Sequence, residues 1–139
     1  MYINFAAVIV ATILQFIAGA IWYMPLFGKL WGKIHGFELL TEEDKKKAQK
    51  DMMPYLAVQF AGTFVTTSVL ALFVMGLPAE WNVFGEAAFL WIGFVVPTQV
   101  SAVIFGGTPK EWMLKKIGVM AGASFVCLLI AATIIHLWR

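Results

Sequence analysis

The chain has 139 residues, of which 61% are hydrophobic and 13% are charged. A soluble domain is about 25% charged, so this composition excludes an ordinary water-soluble protein and is typical of one embedded in a lipid bilayer. The length suits a single domain covering residues 1–139. Acidic residues are interspersed among the lysines, so the charge does not indicate a nucleic-acid partner.

Four long segments of the chain lack Asp, Glu, Lys and Arg. They are residues 1–28, 52–79, 87–109 and 117–138. A helix needs about 20 apolar residues to cross the hydrocarbon core of a bilayer. The pattern therefore predicts an all-α, polytopic membrane protein with four transmembrane helices in two antiparallel hairpins. The predicted helices cover about residues 2–23, 53–76, 83–105 and 112–138.

The first predicted helix leaves the bilayer through an exit motif rich in aromatic rings. Its residues are Trp22, Tyr23, Pro25, Gly28, Lys29 and Trp31. Tryptophan and tyrosine favour the headgroup level, and a proline interrupts a helix. Apolar residues then recur at helical spacing through residues 26–38, which predicts a short helix in the interface plane. Three glycines in this stretch leave an irregular loop as the alternative.

Residues 41–51 form the most strongly charged part of the chain, with the sequence TEEDKKKAQKD. Thr41 is a suitable N-cap, and the acidic residues precede the lysines, as the helix dipole favours. We expect a short, water-exposed cytoplasmic helix that leads into the second spanning helix. The whole connector between the first two spanning helices is then about residues 26–51.

Lysines are concentrated in the two connectors on one side of the predicted membrane domain. They are Lys29, Lys33, Lys45, Lys46, Lys47, Lys50, Lys110, Lys115 and Lys116, against Arg139 alone on the other side. Cytoplasmic loops carry the excess of lysine and arginine in membrane proteins. Both termini are therefore predicted to lie outside the cytoplasm. The apolar N-terminus has no basic segment before it, so we expect it to be retained as a helix.

Three motifs resemble a known family. The segment from Gly19 to Trp31 is similar to the exit of the first helix in the domain of unknown function 1761 family, which consists of small bacterial membrane proteins. Residues 41–44 resemble its acidic helix start, and residues 93–98 resemble its third-helix motif. The resemblance implies four spanning helices in a bacterial inner membrane and no assigned activity. Residues 105–108 depart from the family's more polar third-helix exit.

Polar side chains within the predicted helices are costly in hydrocarbon, so each should face a partner or a cavity. Five of them lie in the middle or the cytoplasmic half of the bilayer and form a candidate polar site: Gln15, Gln59, Thr63, Thr98 and Gln99. A site open to the cytoplasm is one interpretation. Hydrogen bonding between helices that holds the bundle together is the other.

An outer polar cluster is predicted at the opposite end, where Asn4, Glu86 and His136 lie near the membrane surface. Glu86 and His136 can relay protons as a pair, or they can simply reach interfacial water. The two histidines of the chain, His35 and His136, lie on opposite sides of the predicted bilayer and cannot share a metal ion within one subunit. No catalytic, metal-binding or phosphate-binding pattern is present, so we predict no enzyme, metal or cofactor.

Gly118 and Gly122 form a small-xxx-small pair in the fourth helix, which allows another helix to approach closely. We expect a homodimer or larger ring that uses this face, with packing inside one chain as the alternative. A small oligomeric channel or transporter for a small solute or ion is the preferred function, with its pathway between subunits or between two repeated hairpins. A non-transport membrane module, such as an assembly partner or lipid-binding subunit, is the alternative, and the lysines can bind anionic lipids.

The predicted orientation has a direct test. Single cysteines are introduced by Lys47→Cys in the charged connector and by Glu80→Cys in the turn between the second and third helices. An impermeant thiol reagent added outside intact cells should label position 80 and leave position 47 unmodified, because only the former is predicted to face the exterior. The opposite labelling pattern would reverse the orientation.

Overall fold

The computed structural model describes residues 2–78 and 80–138, and within these residues it contains helices and no β-strand. The α-helices are α1 (Phe5–Ile21), α2 (Gly28–Ile34), α3 (Glu42–Gly76), α4 (Val83–Leu90), α5 (Val96–Phe105) and α6 (Met113–Leu137). Arg139 lies outside the described residues. It is the one cation that the sequence analysis placed on the side opposite the nine lysines.

Four helical segments of the described chain are long and apolar enough to cross a membrane. We call them the first to fourth spans: Phe5–Leu26, Glu42–Gly76, Val83–Phe105 and Lys110–Leu137. Four candidate membrane-spanning helices in an all-helical chain are thus confirmed. The second span begins earlier than predicted because the charged segment is continuous with it. Good helix formers occupy most of residues 42–53, and Pro54 lies within the helix without ending it.

Polar caps begin three of the helices. Asn4 Oδ1 accepts a hydrogen bond from Ala7 N (3.2 Å), and Asn82 Oδ1 accepts one from Gly85 N (2.7 Å). Thr41 Oγ1 accepts one from the third residue of its helix at 3.2 Å. Each cap satisfies an amide that has no acceptor within its own helix. Gly36 follows α2 with a φ of 67°, the left-handed conformation that commonly ends a helix.

The first and third spans each contain a π-helical segment, at Trp22–Leu26 and Trp91–Val95. In the first, Phe27 N donates to the carbonyl of Trp22 at 2.9 Å, five residues back. Pro25 lies inside that segment and Pro97 follows the other, and neither proline has an amide hydrogen to donate. The wider π turn therefore carries the first span past Pro25 to Leu26, beyond its predicted end near Tyr23.

The helix α6 is central, because all three other spans pack against it. At one end of the bundle Asn4 Nδ2 donates to the carbonyl of Trp138 at 3.0 Å, and at the other Trp22 Nε1 donates to the carbonyl of Val119 at 2.9 Å. The first and fourth spans are therefore antiparallel. We call the end with Asn4 and Trp138 the terminal end, and the end with α2 and the start of α6 the basic end.

The second and third spans are not packed neighbours among the described residues. The second contacts the first span and α6, whereas the third packs principally on α6 and is the least buried of the four. The prediction of two antiparallel hairpins implies a direct contact between these two spans, which the described residues do not confirm. A turn restricts how far two helix ends can separate but does not determine which faces pack, and here both helices pack on α6.

Alanines and branched aliphatic residues make the buried core near the terminal end. It consists of Val8, Ala11, Leu70, Ala71, Val74, Ala131 and Ile135. These side chains come from α1, α3 and α6, so the core lies where those three helices meet. Alanines let the backbones approach closely, which is how helices associate in a solvent that is itself apolar.

Gly122 provides the space for the indole of Trp22. A Cβ atom at Gly122 would lie 2.6 Å from Trp22 Cζ2, whereas one at Gly118 would meet no atom within 4 Å. Gly122 therefore packs against the first span of its own chain. This is the packing inside one chain that the sequence analysis gave as the alternative to a contact between copies. Gly118 is exposed.

This contact predicts different effects for the two glycines. Gly122→Ala should lower the free energy of unfolding by about 1–3 kcal/mol, because the new methyl group overlaps an indole that is hydrogen-bonded in place. Gly118→Ala, the matched control, should change it by less than about 1 kcal/mol, since its methyl group enters open space. Unfolding in mixed micelles with rising SDS measures both. A Gly122→Ala protein of unchanged stability but altered oligomeric size would assign this glycine to a contact between copies.

Candidate functional site

A polar cluster joins three spans inside the bundle. Gln15 Nε2 donates to Thr67 Oγ1 at 2.8 Å and to the carbonyl of Ala11 at 3.1 Å. Cys127 Sγ lies 3.7 Å from the carbonyl oxygen of Gln15. Gln15 is 8% exposed and Thr67 is 1% exposed, so these groups satisfy each other away from the surface. The cluster links α1 to α3 and α6.

The cluster continues along α3 to the outer surface of that helix. Thr67 Oγ1 donates to the carbonyl of Thr63 at 2.7 Å, and Thr63 Oγ1 donates to the carbonyl of Gln59 at 2.9 Å. Gln59 Nε2 returns a 3.4 Å hydrogen bond to Thr63 Oγ1. Three of the five residues of the candidate polar site, Gln15, Thr63 and Gln59, therefore belong to one chain of hydrogen bonds. It leads from the interior of the bundle to a side chain exposed on α3.

The other two residues of the candidate polar site lie on the third span. Thr98 is exposed, and its hydroxyl donates to the carbonyl of Phe94 at 2.7 Å. Gln99 Nε2 donates to Ser124 Oγ of α6, and that hydroxyl donates to the carbonyl of Met120 at 2.9 Å. Gln99 thus binds α6, while Gln15 binds α3. The structure places the five residues in two separate hydrogen-bonded groups and one exposed position.

Two residues of the predicted outer polar cluster, Asn4 and His136, lie at the terminal end. Asn4 caps α1 and binds the end of α6 through the carbonyl of Trp138, and both line a cleft of about 200 Å³. Glu86 is fully buried in the first turns of α4, a helix that packs on α6. Both of its carboxylate oxygens are enclosed by protein. His136 is half-buried in the last turn of α6.

The exit motif packs around Trp31 at the basic end. The Trp31 ring lies 4.8 Å from the Tyr23 ring and 4.3 Å from that of His35, centroid to centroid. Gly28 lies two residues after the end of the π segment of Pro25, and a Cβ there would lie 3.2 Å from the carbonyl oxygen of Tyr23. Lys29 is exposed on α2.

Two tryptophans bind the middle of α6 in the same way. Trp22 Nε1 donates to the carbonyl of Val119, and Trp91 Nε1 donates to the carbonyl of Ala121 at 2.8 Å. Each is the first residue of a π segment. Sequence reasoning assigned no role to Trp91 or Ser124, although a tryptophan shortly before a proline in both spans was a visible signal.

Comparison with known proteins places the chain in a family. The family model described as "Protein of unknown function (DUF1761)" matches residues 6–136. The chain belongs to the DUF1761 family. This confirms the resemblance carried by the exit motif and the third-helix motif. No curated protein and no solved structure matches the chain.

The described part of this DUF1761 protein contains no group of three or more His, Cys, Asp or Glu side chains close enough to hold a metal ion. The chemistry that the site residues offer is amide and hydroxyl hydrogen bonding. Such groups can bind a helix, a water molecule or a polar solute that passes along them.

The interior hydrogen bond between Gln15 and Thr67 should couple the two residues energetically. A double-mutant cycle with Gln15→Met and Thr67→Val should give an interaction free energy of about 0.6 kcal/mol, and at most about 1.7 kcal/mol. Gln15→Met paired with Thr133→Val is the control, because the Thr133 hydroxyl donates only within α6, to the carbonyl of Leu129. That pair should be additive in SDS unfolding. Equal coupling in both cycles would contradict a direct Gln15–Thr67 contribution.

Proposed function

We propose that this DUF1761 protein is a subunit of a small oligomeric channel or transporter for a small solute or ion, with the pathway between subunits. The observation that supports the proposal is the exposed polar face of α3. Gln59 and Thr66 are exposed and Thr63 is partly exposed, all within the second span. Because they recur every three or four residues, they lie on one side of the helix.

An amide on the outside of a spanning helix is costly in hydrocarbon. Burying one without a full set of hydrogen bonds costs roughly 2–7 kcal/mol, depending on the reference state. Gln59 has donors and acceptors for several hydrogen bonds, and among the described residues its Nε2 has one side-chain partner, Thr63 Oγ1. A second copy of the chain, or water held between two copies, would satisfy the rest.

The third span offers a second exposed polar position. Thr98 and Ser101 are exposed, three residues apart on α5. This span is also the least buried, so it has the most surface to contribute to a contact between copies. The proposed oligomer brings the polar face of α3 and these two hydroxyls to the interface.

The proposal includes a location. We infer the inner membrane of a bacterium, with α2 and the charged first turns of α3 in the cytoplasm and both termini outside it. The asymmetry of nine lysines against Arg139 supports this orientation. The proposal assigns no catalytic step and no cofactor to any residue.

A non-transport membrane module is the second candidate, and the interior of the bundle favours it. Gln15 and Thr67 are hydrogen-bonded to each other and to backbone carbonyls, so these two groups are already occupied by protein partners. In an assembly partner, the exposed face of α3 would instead contact a different protein.

The contact between copies can be tested by cross-linking in the membrane. In a Cys127→Ser background, Gln59→Cys should form a disulfide-linked species of about twice the 15.4 kDa of one chain, because position 59 faces the partner copy. Val65→Cys is the control, since Val65 is 60% exposed on a different side of the same helix. The Val65→Cys protein should remain monomeric. Equal cross-linking at both positions, or none at either, would contradict the proposed interface.

Transport is then measured on the purified protein in liposomes. The native protein should carry salt or a small neutral solute faster than protein-free liposomes do, and Gln59→Leu should reduce that flux while Val65→Leu leaves it unchanged. Cross-linking at position 59 without any flux would favour the non-transport module. Flux unaffected by Gln59→Leu would place the pathway elsewhere.

A further inference from the structure

The start of α6 holds two lysines against tryptophan rings. Lys115 Nζ lies 5.0 Å from the ring centroid of Trp112, and Lys116 Nζ lies 5.8 Å from that of Trp31. An ammonium group over an indole face is attracted by the electrons of the ring. The two contacts therefore restrain the positions of these cations relative to the rings.

The partner ring of Lys116 is itself fixed. Trp31 contacts the rings of Tyr23 and His35, and His35 Nδ1 lies 2.9 Å from the carbonyl oxygen of Trp31. A carbonyl oxygen only accepts, so that nitrogen carries the hydrogen and the imidazole is held against its own helix. Ile34, next to His35, is 6% exposed, and α2 packs on the start of α6. The contact between α2 and α6 thus has a defined geometry.

The lysines of this region are not neutralised by the protein. Lys29 and Lys33 are exposed and four residues apart, on one face of α2. Neither α2 nor α6 contains an Asp or Glu, and within residues 2–78 and 80–138 none of Lys29, Lys33, Lys115 and Lys116 lies within ion-pair distance of a carboxylate. The nearest acidic residues in the chain, Glu38 and Glu111, are exposed. Four uncompensated positive charges therefore lie at the basic end.

The ligand that this region meets in a membrane is a lipid phosphate. Interfacial tryptophan and tyrosine rings lie at the headgroup level, where lipid phosphates also lie. In the same exit segment Met24 is 69% exposed and Leu26 is 61% exposed, so apolar surface is available beside the cations. A free phosphate ion would use the cations alone, whereas a phospholipid would use both.

We propose that the basic end is a binding site for an anionic phospholipid. Lys116, held by Trp31, contacts the lipid phosphate; Lys29, Lys33 and Lys115 surround the headgroup with positive charge. The acyl chains lie along Met24 and Leu26. A zwitterionic lipid carries its own cation, so it gains less from four lysines than a lipid with net negative charge does.

Native mass spectrometry of the purified protein in a neutral detergent tests this site. Phosphatidylglycerol and phosphatidylcholine with the same acyl chains are titrated separately, and phosphatidylglycerol should be retained at lower concentrations. Lys116→Gln should weaken phosphatidylglycerol retention roughly fivefold, as expected for the loss of one cation near the surface. Lys47→Gln, the same charge change in the exposed first part of α3, should have little effect.

Three further measurements distinguish the site from general charge or misfolding. Lys116→Arg should retain binding, and Lys33→Gln, at an exposed position, gives a second readout if Lys116→Gln does not fold. Glycerol phosphate, which has the headgroup phosphate without acyl chains, should displace the lipid only at much higher concentration. Equal retention of the two lipids, an equal loss in Lys47→Gln, or displacement by equimolar glycerol phosphate would overturn the proposal.

Discussion

The packing of two indoles on α6 is the contact on which the rest of the bundle depends. Trp22 and Trp91 come from different spans, yet they donate to carbonyls only two residues apart in α6. In hydrocarbon there is no hydrophobic force between helices, so close packing and such hydrogen bonds must hold them. The large Trp22 ring can approach the α6 backbone because Gly122 has no side chain. With both indoles in place, α6 joins the first span to the third.

Each of these tryptophans is the first residue of a π segment, and a proline lies within or just after each segment. A regular α-helix with a proline would leave carbonyls of the preceding turn without donors, which is expensive where no water is present. A π turn changes the spacing of donors and acceptors and rotates the residues that follow it. In the third span it also precedes Thr98, whose hydroxyl supplies a hydrogen bond to the carbonyl of Phe94. The same short stretch of each span therefore contains a tryptophan that donates to α6 and a proline that lies within or just after a π turn.

The sequence predicted the four spans, which follow from the cost of placing charge in hydrocarbon. It did not predict which side chains pair between helices. The four spans follow from uncharged segments, because a charge is costly at any face of a spanning helix. Helical spacing shows that Gln59 and Thr63 share a side of α3. Spacing alone does not show that this side is exposed, that Gln15 selects Thr67, or that Gln99 selects Ser124. Those pairings depend on how each helix is rotated and where two helices cross. The charge and the periodicity of the sequence predict neither the rotation nor the crossing point.

The two polar regions of α3 differ in a way that bears on assembly. Thr67 faces inward and completes the interior group of Gln15, while Gln59, two turns away, faces outward at the other end of the same chain of hydrogen bonds. A helix that only stabilised its own bundle would need the inward hydroxyl of Thr67. It would gain nothing from the outward amide of Gln59. An exposed amide in a span is a cost to the isolated subunit. Because that cost would be removed if another surface covered the amide, the outward polar face of α3 is the reason for proposing a contact between copies.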